Sequence, residues 1–399
     1  MFSSVKSFAQ SDSIKNDTMY RPMQVTFITP MGTNGIDSWK VKNRLSINIL
    51  AGYTGGLNGL ELGSLANTDK GDVYGTQLAG FCNTNFGKTI GCQMAGFSNV
   101  SLKYVRGLQA AGFCNVVKDS VNGCQLAGFV NYAHDSSNVV QMAGFANVVK
   151  GNLKGAQLAG FANHANGDVE GLQAAGFSNT TYGNTKGMQM SGFANITTKD
   201  LNGTQLSGFL NYARKVRGAQ IGVFNVCDTI EKGFAMGVFS FVRKGGYRAI
   251  EIGGDETFYA QVSVKIGIKK FYNILSAGAK IKDNSFVWGW GYGFGTMANI
   301  SKGVKLNIEG VQYVMSHDDW WVDNLNLLSK VKANVTFRIN DYVSIYVGPS
   351  YNMLTTDRLD KNGELKDDTI APWSNYKKKI RNTMWVLYPG FSVGLIVKL

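Results

Sequence analysis

Proline is scarce in this chain of 399 residues, and long apolar runs are missing from it. None of its 5 prolines lies between Glu61 and Asn211. No apolar run reaches the roughly 18 residues that a membrane helix needs, which excludes a helical membrane protein. Intrinsic disorder is excluded as well, because 12% of the residues are aromatic and only 17% are charged. This composition leaves β-strands as the main structural element.

Histidine is also rare, and its positions indicate no catalytic or metal-binding chemistry. The 3 histidines, His134, His164 and His317, fall in predicted turns or loops without ligand spacing. The segment His317-Asp318-Asp319 could hold a cation, but a solvated loop is the better interpretation. Glycines at 289, 291 and 293 lack the helix that a nucleotide-binding fingerprint needs. We therefore expect no enzyme activity, no cofactor and no metal.

The N-terminal segment is polar and carries no complete export signal. Met1–Gln10 lacks the charged start and the apolar segment of a signal peptide. Ser7-Phe8-Ala9-Gln10, followed by the polar Ser11–Asp17, is nevertheless typical of the end of one. Residues 1–20 are therefore predicted to be a polar leader or the residual tail of a signal peptide. The export signal is expected to begin upstream of Met1.

Between Glu61 and Asn211 the chain repeats the unit Gly-x-Gln-x-Ala-Gly-Phe-x-Asn every 16 residues. A fixed short period means that one structural unit is copied many times. The repeated glutamines are Gln77, Gln93, Gln109, Gln125, Gln141, Gln157, Gln173, Gln189 and Gln205. Each is followed by a phenylalanine and an asparagine, and the ladder residues that we single out are Gln93, Phe97, Asn99, Gln157, Phe161 and Asn163.

Each repeat predicts one strand and one turn. Val169, Gly171 and Gln173 alternate with the residues between them, which is the period-two spacing of a strand. Turn residues follow each asparagine, as in Lys150-Gly151-Asn152. About eleven or twelve strand residues and about four turn residues make up a repeat. The fold class is all-β.

The region after the array predicts long strands with one apolar face. In the last segment Leu387, Phe391 and Val393 share one face. The segment Trp288–Gly295 alternates aromatic residues with glycines, as expected where a bulky lipid-side surface covers a crowded wall. Such strands are typical of an outer-membrane barrel. A soluble β-sandwich could bury the same alternation and is the alternative.

The preferred fold is one continuous antiparallel outer-membrane β-barrel of about 22 strands. Residues 21–60 would supply its first strands, 61–256 the repeat array, and 257–399 the C-terminal strands. Outer-membrane barrels have short periplasmic turns and longer outer loops. The long links Thr356–Thr383 and Ser316–Asn324 are therefore expected outside the cell.

A β-solenoid array joined to a smaller barrel is the alternative fold, because stacked coils explain identical neighbouring units. The cysteines favour antiparallel hairpins instead. Hairpins would set Cys82 opposite Cys92 and Cys114 opposite Cys124, which would allow a disulfide in each pair. Small apolar residues on a lipid face explain these four cysteines about as well. Cys227 is expected to be unpaired in either fold.

The two faces of the repeat strands differ in kind. The variable apolar face suits lipid, so Phe81 to Phe209 are expected to point into the barrel. The polar faces of the later strands carry Lys265, Lys330, Lys332 and Arg338, which are predicted to face the lumen. Rings of cations favour anions in pores, so any conductance is predicted to be anion-selective.

The formal charge of +13 has two interpretations, an anionic partner or simply a solvated charged surface. Lys377-Lys378-Lys379 and Arg381 lie in the longest predicted outer loop, where the phosphates of lipopolysaccharide could bind. Nucleic acid is disfavoured, because the charges follow strands and loops without the aromatic interleaving of a binding groove.

The repeat, the segments Thr33-Asn34-Gly35 and Leu50-Ala51-Gly52-Tyr53, and the barrel-like C-terminus together resemble a known family. They are similar to the surface-repeat proteins of spirochaetes and Bacteroidetes, which are largely uncharacterised. The resemblance extends from Met23 over nearly the whole chain, and Val139 in place of the repeat glycine is a departure from it. It implies an outer-membrane or surface location and carries no activity with it.

Two functional hypotheses follow. The first is an integral outer-membrane barrel that acts as a pore, carrier or envelope scaffold. Its partners would be outer-membrane lipid, lipopolysaccharide and the barrel-assembly machinery. The second is a surface-displayed or secreted β-repeat protein with a structural or binding role.

Overall fold

The structure is a computed structural model, and it describes residues 19–282, 285–317, 326–357, 373–381 and 383–399. Strands account for 77% of it, which confirms the all-β class. The chain divides into two compact units, residues 1–164 and 165–399. Among the described residues, no helix has the length and apolar character needed to cross a membrane.

Unit 1 is built from short strands and one 3₁₀ helix, Gly35–Lys40. Its strands are β1 Met19–Ile28, β2 Met31–Gly32, β3 Val41–Thr54, β4 Gly56–Gly63, β5 Ala66–Asp69, β6 Val73–Ala79, β7 Cys82–Asn85, β8 Thr89–Ala95, β9 Ser98–Ser101, β10 Val105–Ala111, β11 Cys114–Val117, β12 Val121–Ala127, β13 Val130–Ala133, β14 Ser137–Ala143, β15 Ala146–Val149, β16 Leu153–Ala159 and β17 Ala162–Ala165, which reaches the unit boundary.

Each repeat forms one coil of a parallel β-solenoid. β10 pairs in parallel with β8 and with β12, so Gln109 lies between Gln93 and Gln125. A coil consists of a long strand, a Gly-Phe corner, a short strand and a turn. The prediction of one antiparallel barrel of about 22 strands is therefore wrong, and the solenoid alternative describes the array. Period-two alternation did not separate the two folds, since it is the same for parallel and antiparallel pairs.

The segment assigned to the first barrel strands, residues 21–60, also belongs to the solenoid. β1 pairs in parallel with β3, and β3 pairs in parallel with β4 and β5. The antiparallel partner of β1 is the two-residue strand β2. These strands are too degenerate in sequence to show the repeat, and their pairing offsets are irregular, but they stack in parallel as the coils that follow do.

Unit 2 contains further coils and a small barrel. Its strands are β18 Val169–Ala175, β19 Ser178–Thr181, β20 Thr185–Ser191, β21 Ala194–Ser207, β22 Leu210–Ile221, β23 Phe224–Met236, β24 Phe239–Val242, β25 Tyr247–Asp255, β26 Ala260–Ile268, β27 Phe271–Lys282, β28 Ser285–Ser301, β29 Val304–His317, β30 Asn326–Arg338, β31 Val343–Thr356, β32 Tyr376–Ile380 and β33 Thr383–Lys398. The coils occupy β18 to β24, and their pairing is parallel.

The barrel consists of 8 antiparallel strands, β25 to β31 and β33. Neighbours in the chain are neighbours in the sheet, and β25 closes the barrel by pairing with β33, as in Ile250 with Val397. β32 adds a short hairpin to β33. The first barrel strand thus begins at Tyr247 rather than at residue 257.

The two ends of the barrel differ in their connections. The short-turn end carries the links 269–270, 302–303 and 339–342, together with the start of β25. The long-loop end carries the links 318–325 and 357–382, which is where β32 lies.

The last solenoid coil of unit 2 packs on the outer wall of the barrel near the short-turn end. Ile268, the last residue of β26, packs against the buried core of the coils. The Asn273 side chain contacts the backbone of Gly237, accepting from its N–H at 3.3 Å. The Tyr292 hydroxyl donates to the Gly237 carbonyl at 2.8 Å. The barrel wall therefore caps the open end of the solenoid, whose backbone groups would otherwise lack partners.

Several sequence-based predictions fall outside the described residues. They concern most of the leader at 1–20, the outer loop Ser316–Asn324 beyond His317, and the greater part of Thr356–Thr383. Asp318 and Asp319 of the cation-binding hypothesis also lie there, and the His317 side chain is not described.

Candidate functional site

The buried interior of the coils contains polar columns beside apolar side chains such as Val105 and Leu153, and one of these columns is a ladder of glutamines. In unit 1 each Nε2 donates to the Oε1 of the glutamine one coil earlier, at 2.7–2.9 Å from Gln93 through Gln157. Gln93 and Gln157 are fully buried. A buried amide without a partner costs about 1–3 kcal/mol, so every glutamine in the column depends on its neighbours.

The asparagines form a second ladder and also satisfy the corner backbone. The Nδ2 atom of Asn99 donates to Oδ1 of Asn115 at 2.9 Å and to the Ala110 carbonyl at 2.8 Å. Asn147 repeats this pattern with Asn163 and the Leu158 carbonyl. One side chain thereby joins two coils and closes a corner, which explains why the residue recurs in every copy.

The repeat glycine is required by the close approach of the coils. Gly107 has φ +134°, and a Cβ built on it would lie 1.9 Å from the carbonyl oxygen of Gly91. Val139 replaces this glycine in one coil and turns its side chain into the core. The departure noted in the sequence is thus accommodated by burying the extra side chain.

The repeat phenylalanines form an exposed column on the Gly-Phe corner, which we call the Phe ridge. In unit 1 their rings stack with centroids 4.8–5.0 Å apart. Phe97 is 40% exposed and Phe161 is 42% exposed. The expectation that Phe81 to Phe209 point inward is wrong, because the Gly-Phe corner turns the chain there: Ala95 and Asn99 on either side are buried while Phe97 between them stays exposed. The ridge residues are Phe81, Phe97, Phe113, Phe129, Phe145 and Phe161 in unit 1 and Phe177, Phe193, Phe209, Phe224 and Phe239 in unit 2.

Both sides of the Phe ridge are apolar and free of charge, and we call them the flanks. In unit 2 the uncharged stretches around the ridge run over 171–181, 187–198, 203–213, 218–227 and 233–242. Outward side chains in them vary from coil to coil, as at Met190, Leu206 and Ile221, yet remain apolar. Charged side chains collect at the opposite turns, as at Lys199 and Arg214. The coils therefore hold polar ladders in their interior, and one side of their surface is apolar.

The cysteines lie on these flanks or in the core and are all free. The parallel register sets Ser98 beside Cys82, and Leu108 between Cys92 and Cys124. The structure therefore does not bring together the predicted pairs Cys82–Cys92 and Cys114–Cys124, since these rested on antiparallel hairpins. Burial raises the pKa of the Cys227 thiol to about 12, the Asp228 charge adding to the effect.

The interior of the barrel holds a charged cluster that includes two of the predicted lumen lysines. Lys265 contacts Glu251 and lies 2.5 Å from Glu309. Lys332 lies 3.4 Å from Glu251 and 3.6 Å from Glu309. All four side chains are buried. The two carboxylates neutralise the two ammonium groups, so this cluster offers no excess positive field to an anion.

Lys330 belongs to a second buried cluster near the long-loop end. Its Nζ lies 2.5 Å from Asp255 and 3.1 Å from Glu256. The link after β25 also folds Phe258 into the interior, where its ring lies 5.3 Å from that of Tyr313. A Cβ on Gly278 would lie 2.7 Å from the Phe258 ring, so the barrel wall is glycine where this ring packs.

These clusters overturn the pore or carrier hypothesis. The array is not part of a large barrel, and an interior of 8 strands is only wide enough to be filled by side chains. Arg338, the fourth predicted lumen residue, is exposed at the end of β30 and pairs with Asp341 at 2.6 Å. The outer-loop lysines Lys377, Lys378 and Lys379 lie on β32, and all three are exposed.

The outer wall of the barrel carries the opposite polarity. Its most exposed side chains include Val331 at 57%, Phe391 at 55% and Trp290 at 53%. The same strands β28 and β30 turn glycine, lysine and asparagine inward. Charged groups inside and apolar groups outside are the reverse of a water-soluble barrel.

Sequence reasoning missed the acidic partners Glu251, Glu309, Asp255 and Glu256. The alternation in β29 was a sufficient signal for Glu309, because it shares a face with Val311 and Tyr313. Glu251 falls inside the segment 61–256 that is predicted to be repeat array, which concealed its place in the first barrel strand. Among the described residues, no group of three or more His, Cys, Asp or Glu side chains is arranged to hold a metal ion.

Comparisons of this chain with protein-family models, with curated proteins and with solved structures give no match.

Proposed function

We propose that this chain is a membrane-anchored β-repeat protein, in which the barrel is the anchor and the solenoid provides a structural or binding surface. The observation that carries the proposal is the reversed polarity of the barrel, with Lys265, Lys332 and Glu309 inside and Val331 and Phe391 outside. Lipid-facing apolar residues around a polar interior are characteristic of transmembrane β-barrels. A water-soluble protein rarely exposes an apolar surface of this extent.

The outer membrane is the location that this anchor suits, as the resemblance to surface-repeat proteins also suggests. Barrels there have short turns on the periplasmic side and long loops outside. The last coil of unit 2 packs near the short-turn end, which favours the periplasmic side for the coils of this unit. Lys377, Lys378 and Lys379 lie at the long-loop end, where exposed ammonium groups would meet lipopolysaccharide phosphates.

Extraction of cell membranes with alkaline carbonate tests the anchor. An inserted barrel stays with the membrane pellet and is released only by detergent. Release of the intact chain into the carbonate supernatant would contradict the anchor and favour a secreted β-repeat protein.

Trypsin treatment of cells tests the side. We expect cleavage at Lys377–Lys379 on intact cells, and cleavage at the coil turns of unit 2, such as Lys199 and Arg214, only after the outer membrane is permeabilised. Cleavage of the coil turns on intact cells would place the solenoid outside, as the surface-display hypothesis holds.

A further inference from the structure

We infer that the Phe ridge and its flanks in unit 2 are a lipid-contacting surface, which lies in the head-group and acyl boundary of the leaflet next to the short-turn end. This inference rests on the proposed anchor and adds a second contact with the membrane. It gives a role to the exposed apolar side of the solenoid, which the anchor alone leaves unexplained.

The first argument is the direction in which the last coil meets the barrel. Its corner residue Gly237 contacts Asn273 and Tyr292, which lie on the outer wall above the tight turn 269–270. The charged turn 243–246 instead continues into Tyr247, at the short-turn end itself. The corner that bears the ridge is therefore the side of this coil nearer to the middle of the barrel wall. If the wall is in lipid, the ridge faces the membrane and the charged turns face away from it.

The second argument is the chemistry of the flanks. Met188, Met190, Tyr212 and Phe241 are each more than a third exposed. No charged residue interrupts the flanks in any coil of unit 2, whereas the opposite turns carry Lys199, Arg214 and similar residues. An apolar stripe opposite a charged face is the pattern of elements that lie in a membrane interface.

The third argument concerns shape and favours lipid over a second copy of the chain. The ridge is a convex corner, so two copies would touch along a line, and a stable dimer buries roughly 800 Å² on each partner. The outward flank residues also differ from coil to coil while the inward ladder residues do not. A fluid hydrocarbon phase requires apolar character without a fixed shape, which is what such variation preserves.

Quenching by nitroxide lipids tests the inference in the full-length chain. The native cysteines at 82, 92, 114 and 124 are changed to Ser and Cys227 to Ala, and one new cysteine is labelled with a small fluorophore. The flank site is Met190→Cys, and its matched control is Lys199→Cys on the charged turn of the same coil. Val331→Cys on the barrel wall reports insertion. The vesicles contain phosphatidylethanolamine and phosphatidylglycerol with a nitroxide near the head-group end of the acyl chain.

We expect the label at position 190 to be quenched about threefold more strongly than the label at 199, and to approach the label at 331. Adding Leu206→Glu and Ile221→Glu to the flank should reduce quenching at 190 and leave it unchanged at 331.

An unquenched label at 190 beside a quenched label at 331 overturns the inference and leaves the anchor standing. Absence of quenching at 331 overturns the anchor itself. Cross-linking of Met190→Cys between two chains at low protein density, with no lipid quenching there, would show that a second copy covers the ridge and also overturns the inference.

Discussion

Asp69 and Glu61 bring two carboxyl groups together in the buried core of unit 1. Asp69 accepts hydrogen bonds from Thr54 and from Gln77, and it stands at the inward position that Asn85 occupies one coil later. Burial, and then the nearby charge of Glu61, raise the pKa of Asp69 well above its usual range. A carboxyl group of this kind favours the folded state when it is protonated.

The sign of the pH dependence follows from that raised pKa. The folded state holds the proton more tightly than the unfolded chain, so the contribution of Asp69 is fully present below about pH 4 and is lost as the pH rises through its folded pKa. Asp69→Asn keeps the size of the side chain, places the same residue type as Asn85 one coil later, and removes the titration. We expect the variant to melt at least about 3 °C above the parent at pH 8, with the difference vanishing near pH 4. Thermal melts across this range provide the measurement, and the exposed Asp135→Asn is the control. Equal melting temperatures at pH 8 would contradict the assignment.

Gln125 tests the glutamine ladder at a single rung. Replacement by Leu leaves Oε1 of Gln109 and Nε2 of Gln141 without their partners. Two buried amide groups left unsatisfied should lower the opening free energy of this coil by about 2–5 kcal/mol. Native-state hydrogen exchange of the amides in β10, β12 and β14 measures the loss. Leu126→Gln, on the adjacent flank position, is the control and should leave protection nearly unchanged.

At the scale of the element, the barrel strands depend on a charge balance that no single strand contains. Glu251 comes from β25, Lys265 from β26, Glu309 from β29 and Lys332 from β30. The cluster therefore forms only when the barrel closes. Removing one member leaves an uncompensated buried charge, which costs far more than the intact cluster contributes.

Glu309→Gln is expected to destabilise the barrel by about 3–5 kcal/mol, because Lys265 and Lys332 then share Glu251 alone. Adding Lys265→Met restores one lysine to one carboxylate and should recover part of the loss. The temperature at which the folded barrel converts to the slower, unfolded band on a gel reports both effects. A double variant no more stable than Glu309→Gln would show that charge balance is not the cause.

Local pattern was sufficient for the barrel elements and insufficient for the coils. In β28 and β30 the inward and outward faces follow from simple alternation, because each strand keeps its apolar residues, such as Trp290 and Val331, on one side. In a coil the alternation stops at Gly112-Phe113 and resumes in β11, so one repeat reads as a single long strand. Whether strands pair in parallel depends on residues 16 apart, as in Gln93 and Gln109, and that relation is not part of any local window.

At the scale of the whole molecule, the filled interior of the barrel predicts that the protein does not conduct ions. Phe258, Tyr313 and the charged clusters occupy the interior, and 8 strands leave little room beyond side chains. We expect the full chain in a planar bilayer to show no steady conductance. The change Lys330→Glu with Lys332→Glu should impair folding rather than alter ion preference. Stable, anion-selective steps from correctly folded protein would contradict this expectation.

The acidic partners that were missed explain why the lysines on the polar strand faces suggested an anion-selective pore. Lysines on the polar face of β30 indicate a cationic lining when they are seen without Glu251 and Asp255, which lie 81 and 75 residues earlier. The strand count likewise treated each repeat as one wall strand. Neither point can be decided without the tertiary structure, because each concerns which segments, distant in the sequence, share an interior.

Because the coils stack in a fixed register, the number of coils can change in evolution by whole repeats. Nearly identical neighbouring repeats invite unequal recombination, and gain or loss of a whole repeat adds or removes one rung of about 4.8 Å without disturbing any ladder. The steps of 15 residues from Gln205 to Gln220 and 14 from Asn211 to Asn225 show that the turn and the corner, rather than the ladders, absorb a shorter copy. Natural variants of this chain should accordingly differ in the number of coils by whole repeats while their barrels keep one size.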